Sequence, residues 1–209
     1  MPIGVQLAHA GRKASTDKPW DGGGAIAPSE DKGWQTLAPS AIAYDDSAYQ
    51  PKAMTKSDIT QLINDFVSAA KRADELGLDL IELHGAHGYL LHQFLSPLSN
   101  KRDDEYGGSL QNRMRLVLEV FKALRAEFAS HKPVGIRISA TDWVEGGWDL
   151  AQSIELAKAL DKLGCDFIHV STAGLSPEQQ IPVKPNFQVP FATAIKEVVS
   201  MPVIAVGLI

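Results

Sequence analysis

Residues 73–84 read ADELGLDLIELH, and residues 160–171 read LDKLGCDFIHVS. Each runs from a helix end through a glycine and an aspartate into an aliphatic strand with a polar tip. Repeated units of this kind build a parallel sheet, because parallel neighbours need a long crossover and a helix supplies it. Three more aliphatic runs, at 3–7, 134–138 and 203–206, fit the same role. Between the runs, apolar spacing and end signals predict helices over 55–76, 109–128, 149–163 and 190–199. The first opens on TKSD, a capping box with aspartate in place of glutamate, and closes at Gly77. Asp149 caps the third helix and Gly164 ends it, while Pro190 starts the fourth at a position that tolerates proline. The chain is α/β. Either an eight-stranded β/α barrel or an open doubly wound sheet accommodates this pattern.

Side-chain alternation adds a constraint. Ile3, Val5 and Leu7 share one parity, as do Ile81 with Leu83, Ile136 with Ile138, and Ile168 with Val170. The other parity carries Gln6, Glu82, His84, Arg137, Ser139, His169 and Ser171. An ordinary barrel interior is filled by Val, Ile and Leu, and unpaired polar groups there are costly. The polar parity therefore points to a polar ligand over the interior. A self-satisfied network, for instance Glu82 paired with Arg137, is the alternative.

Bulk properties narrow the classes. With 209 residues, 44% hydrophobic and 22% charged, the sequence is read as one globular domain, 1–209. A net charge of −5 offers no basic footprint for nucleic acid. No apolar run approaches the roughly 18 residues of a membrane span. One cysteine builds neither a disulfide framework nor a multi-thiolate metal site, so a reducing compartment, the cytoplasm, is expected.

Residues 82–89, ELHGAHGY, carry the densest chemistry. His84 and His87 fall on opposite faces of a continuing strand, but Gly85 and Gly88 suggest that the strand stops and turns. Two neutral imidazoles over one spot form an electrophilic clamp for an oxygen gaining negative charge, with Tyr89 beside them as proton donor. Zinc is a competing reading, although His9 and His169, the available third ligands, match no metal spacing. A structural pair bonded to backbone carbonyls is the plain alternative.

Other conspicuous residues read as structural. Cys165 sits at the start of its strand, on the face opposite the strand tips, and is expected to pack. Arg113 and Arg115 lie in the first turns of a helix and are expected to serve buried hydrogen bonds or a carboxylate such as Asp103, Asp104 or Glu105. Gly22–Gly24 lie in a long loop rather than a phosphate cradle.

The segments QLAHAGRKA, HGAHGYLLHQFLSPLSNKRDDEYGGSLQNR, VGIRISATDW and GWDLAQSIELAKALDKLGCDFIHVS together closely resemble the Old Yellow Enzyme family of FMN-dependent ene-reductases. The two-histidine motif is similar to that of its bacterial xenobiotic-reductase branch. The likeness implies a (β/α)8 TIM barrel with FMN at its mouth, of which this chain supplies about strands 3 to 7. By the same resemblance Gln6 would bond the flavin pyrimidine edge and Arg137 would lie near N1 and the C2 oxygen. His84 and His87 would hold the carbonyl oxygen of an α,β-unsaturated substrate, and Tyr89 would protonate its α-carbon. NADPH or NADH would reduce the flavin in the same pocket. Symmetric homo-oligomers are also an expectation for enzymes of this type. Strand-like runs at both ends of the sequence read as a barrel cut on either side. The rival reading is a truncated, non-catalytic fragment that binds FMN weakly or not at all.

Overall fold

A computed structural model describes residues 1–209. The chain runs through β1 (Gly4–Leu7), 3-10 turns at Gly11–Lys13 and Pro19–Asp21, β2 (Leu37–Ala38), β3 (Lys52–Ala53) and α1 (Lys56–Glu75). It continues through β4 (Leu80–Gly85), α2 (Leu90–Leu95), α3 (Leu110–Glu127), β5 (Val134–Ser139), α4 (Leu150–Lys162), β6 (Phe167–Ser171), α5 (Val189–Lys196) and β7 (Val203–Ala205). The long strands form one parallel sheet in the order β1-β4-β5-β6-β7, while β2 and β3 pair separately.

That order follows the chain without reversal, so the sheet lacks the switch point of a doubly wound fold. The helices α1, α3, α4 and α5 pack neighbour on neighbour in a single layer. A sequential parallel sheet covered by one helical layer is an arc of a β/α barrel, which decides between the two architectures. Both outer edges, β1 and β7, are unpaired. No helix is long and apolar enough to cross a membrane.

The two parities separate as the alternation requires. Ile81, Leu83, Ile136, Ile138, Ile168 and Val170 are fully buried in one core with Leu116, Val120, Leu124, Leu156 and Leu160 from the helices. Glu82, Arg137 and His169 are only half-buried, and Gln6 is exposed. These polar residues belong to the concave side, where Gln6, Glu82, Phe167, His169 and Ile204 line a hollow of about 470 Å³. Ile3 departs from its expected place. It precedes β1 and is 55% exposed, because β1 is an edge strand with little to cover its first residue.

Helix ends follow local chemistry. Thr55 Oγ1 accepts from the Asp58 N–H, and Asp58 Oδ2 accepts from the Thr55 N–H, so the aspartate completes the capping box. Asp149 Oδ1 accepts from Gln152 N–H at the start of α4. By contrast α5 stops at Lys196, short of the 199 expected. Asp161 accepts from the backbone N–H groups of Ser200 and Met201, both at 3.1 Å, and Lys196 Nζ donates to the carbonyls of the same two residues. These contacts hold the chain in a turn that no local pattern announces.

Candidate active site

The strand β4 ends at Gly85, and the chain then reverses through Ala86–Tyr89, with Tyr89 N–H donating to Ala86 O at 3.1 Å. His87 and Gly88 adopt successive left-handed conformations, φ 56° and 71°. A Cβ on Gly88 would lie 2.0 Å from Gly174 O, so only glycine fits both the dihedral and the space. This reversal solves the spacing problem. The His84 ring lies 5.1 Å from that of His87 and 5.2 Å from that of Tyr89.

The turn is held from behind by groups on other elements. His92, in α2, accepts the Gly88 N–H at Nδ1 (2.9 Å). Its Nε2 stands 2.8 Å from Asp142 Oδ1. Asp142 Oδ2 accepts from Ser96 Oγ at 2.6 Å and from Trp148 N–H at 2.8 Å. Lys13 Nζ donates to His87 O (3.1 Å) and Gly174 O (2.9 Å), with its charge 5.6 Å from the Tyr89 ring centre. Arg12, buried, donates to the carbonyls of Ile42, Ala43 and Leu175 and so ties three loops together. Sequence reasoning missed Lys13, Arg12 and His92. They lie beyond strand ends or inside a helix; Lys13 and Arg12 reach carbonyls distant in the chain, and His92 holds a backbone amide four residues before it.

His84 is 4% exposed, and neither ring nitrogen has a partner. His87 Nε2 lies 2.8 Å from Ser171 Oγ. Arg137 stands opposite His84 and His169 in register. Its one hydrogen bond runs from Nε to Ser171 Oγ at 3.5 Å, and no carboxylate pairs with it. The suggested Glu82–Arg137 pair is therefore overturned. Glu82 accepts from Gln6 Nε2 at 2.5 Å and meets His169 Nδ1 at 3.0 Å. Register explains the difference, since Glu82 faces Gln6 on one side and Gly135 on the other.

Burial, followed by the Arg137 guanidinium, lowers the His84 pKa from 6.5 to about 4; the same causes, with His84 added, bring His87 to about 3. Both rings are neutral near pH 7. In the unfolded chain they gain protons below about 6.5, while in the folded chain they resist until about 4 and 3. The unfolded state thus binds more protons in that window, and stability falls as pH drops through it. Thermal melts between about pH 7 and 4 should show this loss, and His87→Gln should flatten it. Melting that ignores pH in this range contradicts the neutral, buried assignment.

The residues read as structural are so placed. Burial pushes the Cys165 thiol up to about 12, and its Sγ donates to Phe167 O at the start of β6. Arg113 donates to the carbonyls of Gly108 and Leu95 and to Gln152 Oε1. Arg115 donates to Glu105 O and Asn112 Oδ1. Neither arginine meets a carboxylate; Asp104 pairs with Arg102 at 2.5 Å.

A parallel barrel arc with polar strand tips, an uncompensated arginine and a histidine–tyrosine turn now stands beside known proteins. The model of the NADH:flavin oxidoreductase / NADH oxidase family matches residues 2–209. The chain belongs to this family. Its Old Yellow Enzyme members are flavin oxidoreductases that use FMN with NADH or NADPH. An NADH:flavin oxidoreductase of Gibberella zeae is 48% identical across 98% of the chain and 54% of its own length. An NADPH dehydrogenase of Geobacillus sp. strain WCH70 is 43% identical over 99% of the chain and 55% of its own length. Among solved structures, morphinone reductase in complex with tetrahydroNAD superposes with a TM-score of 0.74 at 28% identity, over 98% of the chain and 55% of that protein. The chain thus spans about half the length of these relatives, and its arc is a partial barrel.

Proposed function

We propose that the chain carries the flavin- and substrate-facing arc of an FMN-dependent oxidoreductase that reduces the activated C=C bond of α,β-unsaturated carbonyl compounds, with NADPH or NADH as electron donor. One observation carries this reading: on one side of the sheet a guanidinium without a counter-ion stands beside an imidazole with both nitrogens unpartnered and a half-buried phenol.

These groups fit FMN. Gln6 engages its amide N–H with Glu82, which leaves the amide oxygen as an acceptor for the flavin ring N–H. The free Arg137 charge suits the N1–C2 oxygen edge, where reduction places negative charge; a fixed cation there tunes the cofactor's electronics. When bound and reduced, FMN supplies a hydride to the substrate β-carbon. The rest belongs to this chain. His84 and His87 bind and polarise the carbonyl oxygen, and being neutral they do so through N–H bonds rather than net charge. Tyr89 holds the proton for the α-carbon. Gly88 and Gly174 fix the turn that keeps the three rings together. The lone buried thiol of Cys165 suits a reducing compartment such as the cytoplasm.

The free edges of β1 and β7 favour a second reading, a partial domain that holds FMN weakly or not at all without further strands. NADPH oxidation by the purified chain, with added FMN and 2-cyclohexenone, separates the two. Enone-dependent oxidation yielding cyclohexanone is expected from the first. A chain that retains no FMN after gel filtration and consumes no NADPH rejects it in favour of the second.

A further inference from the structure

We propose that Ser171 is a positioning residue whose hydroxyl sets which nitrogen of His87 carries the proton, and so whether the clamp meets a carbonyl or a hydroxyl. The inference rests on the reading that His84 and His87 face the substrate oxygen.

Ser171 Oγ sits at a junction of three contacts. It lies 3.1 Å from Ile138 O, 2.8 Å from His87 Nε2 and 3.5 Å from Arg137 Nε. A hydroxyl has one hydrogen and two lone pairs. Ile138 O can only accept, and in the resting arrangement the Ser171 hydrogen points there. Arg137 Nε–H can only donate, which takes one lone pair. The remaining lone pair faces His87, whose Nε2 must then supply the hydrogen.

Neutral imidazole carries a single N–H. With that hydrogen on Nε2, Nδ1 presents a bare lone pair, and Nδ1 makes no hydrogen bond within the chain. Nδ1 then repels a carbonyl oxygen, which only accepts, but welcomes an O–H. In this resting arrangement the pair of histidines suits a hydroxyl: one N–H from His84 to its oxygen, and one lone pair from His87 for its hydrogen.

Rotating the Ser171 hydrogen from Ile138 O to Nε2 reverses the assignment. The ring proton leaves Nε2, a proton is taken up at Nδ1 through solvent, and the count on the ring is unchanged. Arg137 Nε–H still donates to Oγ in both states. His87 now offers N–H, and a carbonyl oxygen is met by two donors. Ser171 thus acts as a rotor that lets a neutral histidine serve both partners.

Nitrogen-15 NMR of the labelled chain reads the tautomer directly and needs no flavin. The wild-type chain should show a pyrrole-type Nε2 and a pyridine-type Nδ1 at His87. Ser171→Ala should lose that preference, and Ser171→Thr, which keeps the hydroxyl on the strand, should restore it. A wild-type ring already protonated at Nδ1 overturns the proposal, as does an unchanged preference in Ser171→Ala. Should Ser171→Ala not fold, a Ser171→Thr chain without the wild-type preference also overturns it. A second arm uses cyclohexanone, which offers a carbonyl and no alkene. Conversion of His87 to the Nδ1–H form on titration supports the rotor. Binding that shifts His84 while leaving the His87 tautomer fixed counts against it. No perturbation of either histidine instead counts against the clamp itself, so the two readings fail separately.

Discussion

Tyr89→Phe should slow enone reduction by about 10²–10⁴-fold, the range a positioned general acid contributes, while flavin reduction by NADPH stays nearly unchanged. The phenol ring lies 5.2 Å from that of His84, on the turn that also carries His87. The substitution removes one oxygen and leaves the ring, so packing against His84 is preserved. Hydride delivery from the nicotinamide needs no proton from this residue, whereas protonation of the α-carbon does. Stopped-flow measurement of the two half-reactions separates these steps. Equal slowing of both removes Tyr89 from the role of proton donor.

Asp142→Ala should destabilise the fold by about 3–5 kcal/mol, the cost of breaking a buried polar pair by deleting one partner. For a chain of this size that lowers Tm by roughly 6–20 °C. Asp142 is fully buried and joins three separate groups: Ser96 Oγ, the Trp148 N–H and the His92 ring. Truncation leaves the first two without their partner and His92 without its neighbouring carboxyl group. The damage also reaches the site, because His92 Nδ1 holds the Gly88 N–H. Asp142→Asn retains the size and an acceptor oxygen, so its loss should be the smaller. An alanine variant that melts with the wild type would show the network to be idle.

Much of this fold could be read from short-range pattern. Aliphatic strands bounded by Gly77 and Gly164, and caps at Thr55 and Asp149, depend on neighbours within a few residues. The separation of Ile81 and Leu83 from Glu82 needs only the two-residue period of a strand. Gly85 and Gly88 signalled the reversal that gathers His84, His87 and Tyr89. What escaped depends on register between strands far apart in the chain. Glu82 meets Gln6 and His169 rather than Arg137 because Gln6 stands directly opposite Glu82 while Arg137 stands opposite His84. Lys13 and Arg12 reach carbonyls of other loops, which carry no residue identity for sequence to display. The premature end of α5 is likewise set by Asp161 on a different helix.

Everything turns on whether the polar side of a five-stranded arc holds an isoalloxazine ring. The direct measurement is titration of the purified chain with FMN, followed by visible absorption and flavin fluorescence, beside the same titration of Arg137→Met. The wild-type chain should bind with a shifted spectrum, and the variant should bind about 10- to 150-fold more weakly, one charge-assisted hydrogen bond being worth roughly 1.5–3 kcal/mol. Equal affinity in the two chains, or no spectral change in the wild type, would contradict the account.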